Sequence, residues 1–337
     1  MASPLPGEGT AVLPQPRPSI QGVARRRKRR RRRRTLIRVV VASVALVCGT
    51  GLVRLWVVPG PDRLVLGAYA GYTDTVGLAA FSRTVGFRVD KAMDFLDGTS
   101  WRTIDLSPAH EVPIWDRTGY RMTWGIPILP NSGASLQVGA TGAYDAHFET
   151  IARYLVAHGQ ASSVIRLGWE FNGDWFSWSA AGCPACFVSY WRHIVTTMRA
   201  VPGEQFLFEW NPAAGTGALA PPAAYPGNRF VDIIGLDVYD NVPGIVRPAA
   251  RWNHLLFEPF GLAWVVGFAE SHGKALSFPE WGLGWPPEGG GDNAYFVTHM
   301  ARFILSLPNV DNANFWDYGT SLSAAPRAQA ALSRAFG

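Results

Sequence analysis

From Arg63 onward short apolar runs alternate with longer amphipathic ones, and no other feature limits the possible folds so tightly. The runs Leu64–Ala70, Phe87–Leu96, Arg121–Leu129, Ser163–Glu170, Gln205–Asn211, Val231–Tyr239, Ala275–Trp281 and Asn312–Asp317 have the length and composition of strands. Helical patterns lie between them at Ala143–His158, Phe187–Ala200, Arg251–His272 and Ala294–Leu305, with Pro326–Phe336 last. His158-Gly159, Val201-Pro202-Gly203 and His272-Gly273-Lys274 supply helix stop signals. Parallel strands need crossover helices, and eight such units in about 275 residues fit a (β/α)8 TIM barrel over residues 63–337. An open doubly wound sheet is the alternative, but no Gly-rich phosphate loop follows the first strand.

The charge is distributed unevenly. Of the 31 Lys and Arg, 13 fall in residues 1–58, ten of them consecutive at Arg25–Arg34, against one acidic residue, Glu8. Residues 59–337 then hold 18 basic and 24 acidic residues, so the folded part is acidic and nucleic acid is excluded as its partner. Residues 1–35 read as a disordered, Arg-rich cytoplasmic tail. Residues 36–58 are apolar apart from Arg38 and Arg54, which is enough for one transmembrane helix if both Arg snorkel to the interfaces. The positive-inside rule then makes 36–58 a signal anchor, with the barrel on the periplasmic or extracellular side. A cleaved signal is the rival, although no small-x-small site follows the apolar run. Cys183-Pro184-Ala185-Cys186 could be a redox motif, half a zinc site or a local disulfide; in an exported chain a loop-pinning Cys183–Cys186 bridge is favoured.

In a barrel, chemistry sits at the C-terminal ends of the strands. Here those ends read Trp169-Glu170-Phe171-Asn172, Glu209-Trp210-Asn211-Pro212, Asp237-Val238-Tyr239-Asp240, Phe278-Pro279-Glu280-Trp281-Gly282 and Phe315-Trp316-Asp317. Strand alternation puts Arg166, Gly168 and Glu170 on one face, where a structural Arg166–Glu170 pair is the competing reading. A second carboxylate, Glu280, ends the seventh strand. Two carboxyl groups about 5–5.5 Å apart across a barrel mouth suit retaining glycoside hydrolysis. Glu170, among indoles, is the expected acid/base, because apolar surroundings raise a carboxyl pKa. Glu280 is the expected nucleophile, oriented by the Tyr239 hydroxyl. Fourteen Trp exceed what a core needs; Trp169, Trp175, Trp178, Trp210, Trp281, Trp285 and Trp316, with Asn172 and Arg166, are the candidate substrate contacts, since apolar sugar faces stack on rings. No metal cluster stands out, and no cofactor is expected.

The run Arg166-Leu167-Gly168-Trp169-Glu170-Phe171-Asn172-Gly173-Asp174-Trp175-Phe176-Ser177-Trp178 resembles glycoside hydrolase family 26, the β-mannanase-type members of a large retaining (β/α)8 clan. Leu66-Gly67-Ala68-Tyr69, Trp210-Asn211-Pro212, Asp232–Asp240 and Pro279-Glu280-Trp281-Gly282 follow in the family's order, and the resemblance covers roughly residues 63–320. It implies Glu170 as acid/base, Glu280 as nucleophile and Tyr239 as its partner. It also implies a β-linked polysaccharide or oligosaccharide substrate, β-mannan or a related β-glycan, cleaved within the chain. One position departs: the family usually has His before the acid/base, and this sequence has Trp169. The catalytic pair carries over, and the identity of the sugar does not. A transglycosylase of envelope assembly would use the same pair, and a non-catalytic glycan-binding scaffold would need neither Glu.

Overall fold

A computed structural model of the chain describes residues 64–319 and 322–337. The predicted tail (1–35) and membrane anchor (36–58) lie outside the described residues. Among those described, no helix is long and apolar enough to cross a membrane.

The strands are β1 (Val65–Tyr69), β2 (Lys91–Phe95), β3 (Arg121–Ile126), β4 (Val164–Leu167), β5 (Leu207–Trp210), β6 (Ile233–Gly235), β7 (Val238–Tyr239), β8 (Ala275–Gly282) and β9 (Val310–Trp316). All pair in parallel in the order β6-β5-β4-β3-β2-β1-β9-β8-β7, and β6 also pairs with β8, which closes the sheet. β6 and β7 are two pieces of one stave, so the architecture is an eight-stave TIM barrel. The break falls at Leu236-Asp237, where Asp237 keeps only an isolated parallel bridge to Ala213, its N–H bonding the Pro212 carbonyl.

The helices are α1 (Thr75–Val85), α2 (Trp101–Trp115), α3 (Leu136–Gly139), α4 (Asp145–Ala157), α5 (Pro184–Arg199), α6 (Pro248–Phe257), α7 (Leu262–His272), α8 (Ala294–Ser306) and α9 (Pro326–Phe336). The single helix expected over Arg251–His272 is two, interrupted by Glu258-Pro259-Phe260-Gly261, where Phe260 adopts φ +60°. α2 was not expected, because Pro108 and Pro113 lie inside it. Its start is fixed by a capping box: the Ser100 hydroxyl accepts from the Thr103 N–H and Thr103 Oγ1 accepts from the Ser100 N–H.

Outward-facing strand residues such as Ile165, Leu167, Phe208 and Trp210 build the main core with the inner faces of the helices, among them Phe187, Trp191 and Ile194 of α5. The barrel interior is polar. Glu209, Ser277, Thr123, Asn312 and Asn314 are all buried in it, and Lys91 pairs with Asp311 at 3.3 Å nearer the strand starts. A cavity of about 470 Å³ opens there, lined by Lys91, Arg121, Gln160 and Asp311, at the end opposite the Glu170–Glu280 pair.

Candidate active site

The site is assembled by two backbone devices. Regular pairing of β4 stops at Leu167, because Gly168 takes φ +45° and Glu170 φ +51°. A side chain at Gly168 would be strained by that φ and would crowd Ile128. This turn overrides the expected alternation. Trp169 swings to the same side as Arg166, its ring 5.5 Å from the guanidinium, while Glu170 is carried out to the mouth. The Glu170 N–H is then taken by the Asn211 carbonyl at 3.0 Å. On β8, Pro279 has no N–H to give the ladder, and the pairing with β9 slips between Phe278 and Trp281. The Glu280 N–H bonds Asp237 Oδ1 at 3.1 Å instead, and the carboxyl points into the barrel mouth.

Arg166 is the hub. It is fully buried and does not pair with Glu170. Its Nη1 donates to Glu280 Oε1 at 2.5 Å, its Nη2 to Asp237 Oδ2, and its Nε to Asn211 Oδ1 at 2.8 Å. Asn211 Nδ2 in turn donates to Asp237 Oδ2 at 2.7 Å. Burial alone would lower the pKa of the guanidinium, but Asp237, Glu280 and Glu209 together raise it, so it stays a cation. The Tyr239 hydroxyl donates to the second Glu280 oxygen. Glu280 is thereby held on both oxygens by donors, the acceptor-only arrangement of a carboxylate.

Glu170 has a different environment. Its Oε2 accepts the Trp175 indole N–H at 2.9 Å. Burial first, and then the charge of Glu280, push its carboxyl up to about 7, against smaller lowering effects of Arg166 and Trp175. One oxygen from each of Glu170, Asp237 and Glu280 lies within 4.8 Å of the others. Three carboxylates so grouped could surround a cation, yet Arg166 already supplies the positive charge to two of them.

Aromatic rings enclose this group. Tyr239 meets Trp316 edge-on at 6.2 Å, Trp316 lies 4.4 Å from Tyr69, Tyr69 meets Phe95 at 5.2 Å, and Phe95 meets Trp169 at 4.8 Å. Trp169 continues to Phe176 and Trp178. The sequence-derived contacts divide accordingly. Trp175, 55% exposed, and the half-buried Trp316 have surface to offer at the mouth. Trp285 is half-buried in the loop after β8. Trp169 and Trp178 are nearly buried, with the Trp178 N–H tied to the Trp169 carbonyl at 2.9 Å, so they form wall and not platform.

Trp210, Trp281 and Asn172 are not brought to the mouth. Trp210 and Trp281 follow the inward-facing Glu209 and Glu280 by one residue and therefore face the helices; the Trp210 N–H bonds the Ala224 carbonyl, and Trp281 packs on Phe315 and Phe296. Asn172 is buried and brackets Ala213, accepting its N–H and donating to its carbonyl. Asn211 and Asp237, to which sequence reasoning gave no site role, lie at its centre. The signal was available: in Glu209-Trp210-Asn211, alternation sends Asn211 inward with Glu209. Cys183 and Cys186 form a disulfide at the start of α5.

The sequence model of Glycosyl hydrolase family 26 matches residues 143–280, which include both Glu170 and Glu280. A mannan endo-1,4-beta-mannosidase of Bifidobacterium adolescentis is 28% identical over 117 residues, 34% of this chain and 11% of the relative, so the match spans about a tenth of that protein's length. Among solved structures, the catalytic domain of an endo-beta-1,4-mannanase of Bacillus sp. JAMB-750 superposes with a TM-score of 0.61 at 21% identity, covering 82% of this chain and 86% of that one. A modular endo-beta-1,4-mannanase of Cellulomonas fimi gives 0.57 at 21% identity, covering 76% and 65%. The chain therefore has the (β/α)8 fold that these solved structures share, and its residues 143–280 match the model of glycosyl hydrolase family 26.

Proposed function

We propose that the protein is a retaining endo-acting glycoside hydrolase of a β-linked polysaccharide, β-mannan or a related β-glycan. The observation that carries this reading is the unlike treatment of two carboxyls whose oxygens come within 4.8 Å. One is gripped on both oxygens by Arg166 and Tyr239. The other is pushed up to about 7 by burial. That spacing leaves no room for a water between nucleophile and sugar and suits attack by the carboxylate itself.

In the first step a Glu280 oxygen bonds the anomeric carbon, the glycosidic C–O bond breaks, and the departing oxygen takes the Glu170 proton. In the second, water attacks the anomeric carbon, gives a proton to Glu170, and releases Glu280 as carboxylate. Arg166 and Tyr239 hold Glu280 at the angle this needs, and Asp237 and Asn211 hold Arg166. Rings at the mouth, Trp316 and Trp175 foremost, take the apolar faces of the sugars.

The test is Glu280→Ala assayed on mannan, glucan and xylan oligosaccharides. Turnover should fall by at least 10⁴-fold, roughly the scale of losing a nucleophile, and azide should restore it with an inverted glycosyl azide as product. Full activity without Glu280 sinks the assignment, and transfer of the glycosyl unit to sugar acceptors in place of water would make the enzyme a transglycosylase.

We extend the proposal to location, on the ten-residue basic run followed by the apolar 36–58: the segment anchors an outward-facing barrel. Carbonate extraction of expressing cells should leave the protein in the membrane pellet, and protease added to intact cells should remove the barrel. Recovery as a protease-protected soluble protein would refute the anchor.

A further inference from the structure

Tyr69 stands at the C-terminal end of β1. It is in register with Trp316 of β9, and its ring is wedged among Trp316 at 4.4 Å, Phe95 at 5.2 Å and Tyr318 at 5.7 Å. Two of those neighbours touch the catalytic group directly: Phe95 lies under the Arg166 guanidinium at 5.5 Å, and Trp316 meets Tyr239. The side chain therefore belongs to the same mouth as Glu280. Its backbone carbonyl is committed, accepting the Asp317 N–H at 2.9 Å, which fixes the end of the strand.

Its hydroxyl is not committed. Two other tyrosines of this wall spend their hydroxyls on carboxyls, Tyr239 on Glu280 and Tyr72 on Glu111. The Tyr69 hydroxyl has no hydrogen-bond partner among the described residues, yet it is not among the polar atoms sealed from solvent without one. A residue only 7% exposed thus presents its one polar atom to the cleft. A phenol held rigidly by three rings and left open at the tip is a preorganised donor, since nothing must be broken or ordered for it to bond a ligand. Burial, then the nearby Asp94, Tyr318 and Glu280, raise the phenol well above its ordinary value, which keeps the proton on it at every working pH.

We propose that the Tyr69 hydroxyl is a substrate ligand and specificity determinant, donating a hydrogen bond to a ring hydroxyl of the β-pyranosyl unit bound against Trp316 beside Glu280. The proposal rests on the hydrolase reading above. It differs from the role of Tyr239, whose hydroxyl is spent on Glu280. It also names what replaces part of the polar recognition lost where Trp169 stands.

The test compares wild type with Tyr69→Phe on the aryl β-glycobioside of the preferred sugar and on its 2-, 3- and 6-deoxy analogues in the unit beside Glu280. Loss of one neutral hydrogen bond should lower kcat/KM roughly two- to tenfold and leave the melting temperature in place. Wild type should discriminate against one deoxy analogue, and Y69F should lose that discrimination. The ratio of two substrates on one preparation does not depend on the folded fraction, so a partly destabilised Y69F still reports. Unchanged kcat/KM in Y69F, or full wild-type discrimination retained by it, overturns the proposal while leaving the hydrolase intact. Should wild type bind these sugars without cleaving them, the hydrolase reading falls and the same ratios are read as Kd by tryptophan fluorescence. Neither cleavage nor binding overturns both.

Discussion

Glu111 offers the sharpest test of how burial and charge set the properties of this barrel. It sits in the middle of α2, fully buried, with Oε1 accepting the Tyr72 hydroxyl at 3.0 Å and Oε2 without a partner. Burial, and after it the charge of Asp94, push its carboxyl from an ordinary 4.5 up to about 9, against the lowering effect of the Tyr72 hydrogen bond. A carboxyl whose pKa is higher folded than unfolded binds more protons in the folded state between those two values. Stability is then greatest below about 4.5 and is lost as pH rises toward 9, by about 1.4 kcal/mol per pH unit. Between pH 5 and pH 8 this one residue should cost about 4 kcal/mol. Glu111→Gln keeps the acceptor for Tyr72 and carries no titrating proton, so it should remove that slope. For a domain of about 270 residues the unfolding entropy is roughly 0.6 kcal/mol/K, and the loss corresponds to about 7 °C. Calorimetric melting temperatures of wild type and E111Q should nearly coincide at pH 5 and diverge to about 7 °C at pH 8, the variant melting higher. Parallel curves across that range would refute the claim that Glu111 is buried as the acid.

Trp175→Phe removes the indole N–H from Glu170 Oε2. That bond lowers the Glu170 pKa, so the alkaline limb of kcat/KM, expected near pH 7 in wild type, should move to higher pH in the variant; an unmoved limb separates Glu170 from the acid role. Arg166→Met leaves Asp237 buried opposite Glu280 without a counter-ion. Breaking a buried pair of this kind costs about 3–5 kcal/mol, and urea denaturation should find the loss at pH 7; a loss under 1 kcal/mol would show that Asp237 takes up a proton instead.

Most of the barrel was readable in the sequence, because parallel strands buried on both faces must be short apolar runs separated by crossover helices. What escaped was local. α2 hides behind Pro108 and Pro113, although its start is marked by a capping box at Ser100. The proposed catalytic pair was readable because two Glu end two strands. Their surroundings were not, because alternation assumes an unbroken strand and Gly168 ends β4 one residue before Trp169. The same alternation, carried through consistently, would have kept Trp210 and Trp281 out of the site: each follows an inward-facing Glu by one residue. Composition drew them in where geometry excluded them.

Roles within the acid pair are set by a shortage of positive charge. Three carboxyls come within 4.8 Å of one another, and among the described residues Arg166 is the one cation that bonds any of them. Its planar fork can reach two, Asp237 and Glu280, through two nitrogens while the third holds Asn211. Glu170 is left with a neutral indole donor, and burial together with the field of Glu280 pushes its carboxyl up to about 7. The roles cannot be exchanged by small movements, since that would require the guanidinium to leave Asp237 uncompensated in the barrel interior. Trp169 reinforces the asymmetry: its ring covers Arg166 at 5.5 Å and keeps water from sharing the charge. In the proposed double displacement, Trp169 thus strengthens the electrostatic contrast between Glu170 and Glu280.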